Sequence, residues 1–127
     1  MYMENFYVIE SEDNPSIFCD AEKGLIEMEG RSLPENVDTF YNPVIEWVRE
    51  YLKNPMPKTT VRFGFVYINS SSSKKILEIL MLLKKLLPDN DLKIIWNYLP
   101  EDEDMYDEGM DFAKMTQLDF DFKITSE

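Results

Sequence analysis

Four consecutive hydroxyls, Ser70-Ser71-Ser72-Ser73, follow Val66-Tyr67-Ile68-Asn69 and precede Lys74-Lys75. A strand-forming run ends where they begin, and a strongly apolar helical pattern takes over after them. A hydroxyl at such a junction can cap the helix by accepting from its unpaired first-turn amides. The same place suits phosphorylation, because a helix N-terminus favours negative charge. A phosphate there adds about −1.5 to −2 charge and three acceptor oxygens, which Lys74 and the helix end would stabilise. The plainer reading is a polar linker in which one serine caps the helix. By residue type and spacing alone, all four hydroxyls stay open as acceptors. The chemistry on offer is a binding switch rather than catalysis.

Other chemistry is scarce. The 127 residues contain no histidine, which excludes Ser/His and Cys/His nucleophile pairs and imidazole metal ligands. The single cysteine, Cys19, has no internal disulfide partner and reads as a small, half-buried strand residue. The acidic run Glu101-Asp102-Glu103-Asp104, with Asp107-Glu108, invites a divalent cation. Calcium loops, however, need glycine at the sixth position and glutamate at the twelfth. Counting from Asp102, those positions hold Asp107 and Ala113; from Asp104 they hold Gly109 and Met115. The run reads instead as a solvated helix start. With only four glycines there is neither a phosphate-cradling G-x-x-x-x-G-K-[ST] loop nor a dinucleotide fingerprint. No catalytic residue, metal ligand or cofactor is expected.

The elements that would position the serines follow from periodicity. Phe6–Glu10 and Ser16–Asp20 read as strands separated by the turn-rich Ser11–Pro15. Ala21-Glu22-Lys23-Gly24 reads as a hairpin turn into Leu25–Gly30, where Ile26 and Met28 alternate with Glu27 and Glu29. After the connector Arg31–Asn36 the period changes to 3.6, with Phe40, Val44, Trp47, Val48, Tyr51 and Leu52 on one face. Pro43 implies either a kink or a later start, with Asn42 as cap and Pro43 in the first turn. Thr59–Ile68 reads as a central strand, with Val61, Phe63, Phe65 and Tyr67 on one face and Arg62, Gly64, Val66 and Ile68 on the other. A helix over 71–87 follows, then a strand over 92–98, a modest helix after the acidic run, and an edge strand over 118–124 with charged outer positions. Strand-helix-strand units give parallel neighbours through right-handed crossovers. The expectation is an α/β sandwich in one domain over 1–127: a mixed sheet with N-terminal antiparallel strands and about three helices, mainly on one face.

Composition bounds the partners. An apolar fraction of 44%, including 8 Phe, 7 Tyr and 2 Trp, supports a packed core. With 13 basic against 25 acidic residues the net charge is −12, a field that repels nucleic acid and anionic membranes. The segment Met1–Phe6 lacks the basic and apolar regions of a signal peptide, and the apolar stretch Ile76–Leu87 is too short to span a bilayer. A cytoplasmic protein with a protein partner is the expectation.

Three groups of residues resemble one family. Ser32-Leu33-Pro34-Glu35-Asn36, followed by Phe40 and Val44-Ile45-Glu46-Trp47-Val48, is similar to the first half of the SiaC-type bacterial regulatory phosphoproteins. Tyr67-Ile68-Asn69-Ser70-Ser71-Ser72 resembles that family's Tyr-Leu-Asn-Thr-Ser-Ser phosphoacceptor segment, and Trp96-Asn97-Tyr98 its later Trp-x-Tyr strand. The resemblance runs from about Gly24 to Ile124. It implies a fold similar to the STAS domains of anti-sigma-factor antagonists, and a partner-switching role. In the family a cognate serine/threonine kinase phosphorylates the hydroxyl after the asparagine, and a metal-dependent serine/threonine phosphatase removes the phosphate. The unmodified form binds and activates a diguanylate cyclase, feeding cyclic-di-GMP signalling and biofilm formation. Carried over by position, the acceptor is Ser70. Serine stands here in place of the family's threonine, so Ser71 or Ser72 could share the modification. Asn69, Ser71, Ser72, Lys74, Glu35 and Asn36 are the expected partner-binding residues, with Glu35 and Asn36 alternatively capping the first helix. The acidic 101–108 segment departs from the family. A conventional anti-sigma-factor antagonist, or a small acidic metal-binding or enzymatic domain, are the alternatives.

Overall fold

The computed structural model describes residues 3–125; Met1 and Tyr2 of the segment tested for a signal peptide lie outside them. Six strands form one sheet: β1 (Phe6–Val8), β2 (Ser16–Asp20), β3 (Leu25–Ser32), β4 (Lys58–Ile68), β5 (Asp91–Tyr98) and β6 (Phe120–Ile124). Their spatial order is their chain order. β1, β2 and β3 pair antiparallel, and β3 to β6 pair parallel. Each parallel step is bridged by a helix: α1 (Val37–Leu52), α2 (Ser70–Leu83) and α3 (Glu103–Thr116). Three successive crossovers that advance the same way with the same hand put all three helices on one face. This is the expected α/β sandwich. Among the described residues no helix is long and apolar enough to cross a membrane.

The core lies between helices and sheet. Ile17, Cys19, Ile26, Met28, Val61, Phe63, Ile94 and Trp96 supply the sheet side; Val44, Val48, Ile76, Ile79, Leu80 and Phe112 supply the helix side. The opposite face of the sheet carries no helix. It presents Glu27 paired with Arg62, and the lysines and aspartate of the β5–β6 edge.

Three boundaries differ from the periodicity. Helix α1 starts well before Pro43, because Asn36 caps it by accepting from the Thr39 amide at 3.1 Å. Pro43 therefore sits inside the helix and forfeits one backbone bond, at an exposed position. The buried face is also rotated. Tyr41 and Ile45 are enclosed, whereas Phe40 and Leu52 are only partly covered. Helix α2 begins at Ser70 and tightens into a 3-10 turn over Lys84–Leu86, which leaves Leu87 exposed. The last strand starts at Phe120, after Gln117 closes α3 in the left-handed conformation (φ 58°).

The fourth strand carries the difference that matters most. Its alternation holds through Phe65 and then changes phase: Gly30 pairs with Phe65, but Arg31 pairs with Tyr67. Val66 is an extra residue, a β-bulge, and every side chain after it changes face. Tyr67, read on the face of Val61, Phe63 and Phe65, is exposed, and Ile68, read on the face of Arg62 and Gly64, is buried.

Candidate functional site around Asn69 and Ser70

The bulge sets how the chain leaves the sheet. With Ile68 turned into the core, the next residue, Asn69, stands at the helix entrance in extended conformation (φ −84°, ψ 171°). Its side-chain oxygen accepts from the Ser72 amide at 2.9 Å, and its carbonyl accepts from the Ser73 amide at 3.0 Å. Asn69, rather than a serine, is thus the N-cap of α2. Its own amide donates to the carbonyl of Ser32 at 3.0 Å. That bond ties the end of β4 to the end of β3 and brings the Pro34-Glu35-Asn36 and Asn69-Ser70-Ser71 motifs side by side at one end of the sheet.

The four serines, alike in sequence, have different surroundings. Ser70 and Ser71 are exposed in the first turn, and Ser73 is half-buried. Ser72 is fully buried. Its hydroxyl donates to the Ser32 carbonyl at 3.1 Å and accepts from the Ser32 hydroxyl at 2.8 Å. Since the Ser32 proton is committed to Ser72, the 2.5 Å contact between Ser32 Oγ and Tyr41 Oη has the phenol as donor. A directional chain results, from Tyr41 through Ser32 and Ser72 to the Ser32 carbonyl. It joins α1, β3 and α2 beneath the exposed pair. Burial pushes the Tyr41 phenol up to about 12, against the lowering effect of its hydroxyl neighbours. Burial likewise pushes the Cys19 thiol up to about 12, so it is no nucleophile at neutral pH.

The two lysines also divide. Lys75 reaches across to α1, with Nζ 2.9 Å from Asp38 Oδ1 and 3.1 Å from Asn42 Oδ1. Lys74 is exposed, one helical turn beyond Ser70 and therefore on the same face. The face that presents Ser70 thus carries a helix N-terminus and a cation. The first-turn amides of Ser70 and Ser71 are among those a helix leaves without internal partners. Such a surface suits an anionic group, whether attached to Ser70 or brought by a partner.

Of the remaining expected residues, Asn36 caps α1 and Glu35 is exposed beside it. In Trp96-Asn97-Tyr98, Trp96 is core, packed on Phe63, Phe65, Phe112 and Phe120, with its indole nitrogen donating to the Met105 carbonyl at 3.0 Å. The acidic run is a helix start: Asp102 caps α3 by accepting from the Met105 amide, and Glu103 and Asp104 fill the first turn. Among the described residues, no three His, Cys, Asp or Glu side chains group as a metal ion would need. Sequence reading missed Ser32, Tyr41 and Asp38. Of these only Ser32 carried a signal, as the first residue of the Ser-Leu-Pro-Glu-Asn motif.

Three comparisons bear on the site. The model of a family described as SiaC family regulatory phosphoprotein matches residues 8–125. An uncharacterized protein of Pseudomonas aeruginosa is 30% identical over 83 residues, which span 65% of this chain and 66% of that protein, just under two thirds of its length. The crystal structure of apo-SiaC from Pseudomonas aeruginosa superposes with a TM-score of 0.84 at 25% identity, covering 98% of this chain and all of that one. SiaC in a complex with the diguanylate cyclase SiaD, of which it is described as the activator, superposes at 0.88 over 94% of this chain and 99% of that one; at 24% identity this likeness concerns the fold alone.

Proposed function

The chain belongs to the SiaC family of regulatory phosphoproteins, and from that membership we propose that it is a non-enzymatic phospho-switch whose acceptor is Ser70. A cognate serine/threonine kinase adds the phosphate and a metal-dependent serine/threonine phosphatase removes it. The unmodified form binds and activates a diguanylate cyclase, as the complex of the similar Pseudomonas protein suggests. The observation that carries the reading is the sorting of the serine run: Ser70 is exposed directly after its capping asparagine, whereas Ser72 is locked inside.

The switch is electrostatic. Before modification, the helix end (about +0.5 charge) and Lys74 (+1) make the face around Ser70 positive. A phosphate of about −2 inverts it to roughly −0.5. A partner that meets the unmodified face with carboxylates is then repelled, and any apolar contact next to Ser70 must accommodate a hydrated dianion. Ser71 and Lys74 share this face and would contact the partner. Asn69 holds the turn.

The test is incubation with the kinase and ATP, followed by peptide mass spectrometry over 70–73 and a binding assay against the cyclase. Phosphate on Ser70, its loss in Ser70→Ala, and cyclase affinity weakened at least tenfold in the phosphorylated form are expected. Label found only outside Ser70–Ser73, or equal affinity of both forms, would overturn the reading.

A further inference from the structure

The sheet ends in two strands whose outer sides meet no other strand among the described residues, β1 and β6. β1 has three residues and β6 five. The unpaired amides and carbonyls of such an edge are a template for another strand. On β6 they can be assigned. The Thr125 amide donates to the Tyr98 carbonyl at 2.8 Å, so the backbone of Thr125 faces β5. Backbone groups alternate in direction along a strand, and the β5–β6 register runs without a shift. Lys123 and Asp121 therefore also bond toward β5, whereas the amides and carbonyls of Phe120, Phe122 and Ile124 point outward. Helix α3 leaves them open, because it is seated over β5 with Gly109 against the Trp96 indole.

The side chains of this edge complement their own copy. When two β6 strands pair antiparallel with nearly full overlap, the two-fold axis passes at Asp121, Phe122 or Lys123. An axis at Asp121 sets that carboxylate against itself, and one at Lys123 sets two ammonium groups together. Like charges directly opposite are destabilising. An axis at Phe122 instead sets Asp121 against the partner's Lys123, twice. Both charges are about half exposed on the helix-free face and free to meet them. They then occupy the non-hydrogen-bonded pairs, where side chains come closest, while Phe120, Phe122 and Ile124 exchange the outward backbone bonds. Charges that keep other strands off this edge thus admit one strand in one register. Apolar surface favours the same pairing. Ile124, 59% exposed, would lie against the partner's Phe120. Tyr106 packs on Phe122 with ring centroids 5.1 Å apart and remains 36% exposed. Two α3 helices seated over β5 would stand about 14 Å apart, three strand spacings, with these rings between them.

We propose that β6 is a self-association edge, through which two copies of this chain pair about Phe122 into a dimer with one continuous sheet. This goes beyond the role of Ser70 and does not depend on it. The axis is perpendicular to the sheet, so all helices of the dimer stay on one face. The two Ser70 ends then point to opposite ends of the shared sheet, each free to meet its own partner.

The test is sedimentation velocity of the full chain at about 0.01 to 0.5 mM in 0.5 M sodium chloride, which screens the charge of −12 on each copy. A reversible dimer is expected to predominate at the upper concentration. Ile124→Pro removes an outward amide without touching the bonds to β5, and should weaken the dimer at least tenfold. Asp121→Lys and Lys123→Asp, each alone, set like charges opposite and should weaken it similarly. An equimolar mixture of these two variants should associate again, as a heterodimer with opposite charges restored. Unaltered far-ultraviolet dichroism shows that each variant is folded. A wild-type chain still monomeric at 0.5 mM, a dimer indifferent to Ile124→Pro, or a mixture no more associated than either charge variant alone would each overturn the proposal.

Discussion

At Tyr41 the phenol proton is committed to Ser32, and the ring is enclosed between α1 and the sheet. Ionising it would strip the chain Tyr41–Ser32–Ser72 of its first donor and bury a charge. Its folded value near 12 lies above the ordinary 10. The stability linked to this proton is therefore fully present below about pH 10 and lost as pH rises through 12. Two pK units correspond to at most about 3 kcal/mol. The Cys19 thiol acts in the same direction, beginning near 9. Tyr41→Phe should cost about 1 kcal/mol at pH 7, from the lost hydrogen bond. Its unfolding free energy should then decline less than that of wild type between pH 10 and 12. Denaturant titrations at pH 7, 10 and 11 check this, and parallel decline of the two proteins would count against the buried phenol. The residue scale is also where the sequence was least readable. Nothing in Ser70-Ser71-Ser72-Ser73 marks the third hydroxyl as interior, because its burial follows from the helix phase that Asn69 imposes.

At the scale of elements, two devices register helices and sheet against each other. One is the bulge at Val66. The other is the seat of Trp96 under α3, where Gly109 lies so close to the indole that an added Cβ would meet it at 2.5 Å. The Trp96 ring is fully buried and cannot retreat, with aromatic neighbours on β4, β6 and α3 itself. Gly109→Ala should therefore destabilise by about 2–3 kcal/mol, against a helix-propensity gain of about 1 kcal/mol. The melting temperature and the near-ultraviolet dichroism of Trp96 report it; a stabilised variant would show that α3 is free to shift. Element types were readable because alternation and the 3.6 period are strong in β3, β4 and α2. The phase of α1 was not. Phe40 and Tyr41 are equally apolar neighbours, and Pro43 argued for a later start than the Asn36 cap permits. The bulge was silent too, since Gly64-Phe65-Val66-Tyr67 alternates as well as any strand.

Taken whole, the molecule carries a net charge of −12, and its carboxylates crowd α3. Glu108 is raised from its ordinary value by burial and by Asp102, Asp104 and Asp111. A raised carboxyl contributes stability at low pH that is lost as pH rises through its folded value, so mild acidification from neutral pH should stabilise the fold. Salt should act likewise by screening self-repulsion, with a Debye length of about 10 Å at 0.1 M. A melting temperature higher by a few °C in 0.5 M than in 0.01 M sodium chloride is expected. A decrease would mean that ion pairs such as Asp38–Lys75 outweigh the repulsion. The architecture was legible at this scale because six strand patterns and three helix patterns in this order leave few topologies. The open sheet face was not, because a cavity over Gly30 and Gly64 depends on which strands become neighbours.

The extra residue at Val66 turns chain length into an address. In the odd-and-even arithmetic of a strand, one residue more or fewer between Gly64 and Asn69 exchanges inside for outside, whereas two leave the pattern intact. The surface hydroxyl of α2 is thus specified by a count as much as by an amino acid. A relative that gained or lost a single residue here would have to move its acceptor by one position to keep it in reach of another protein.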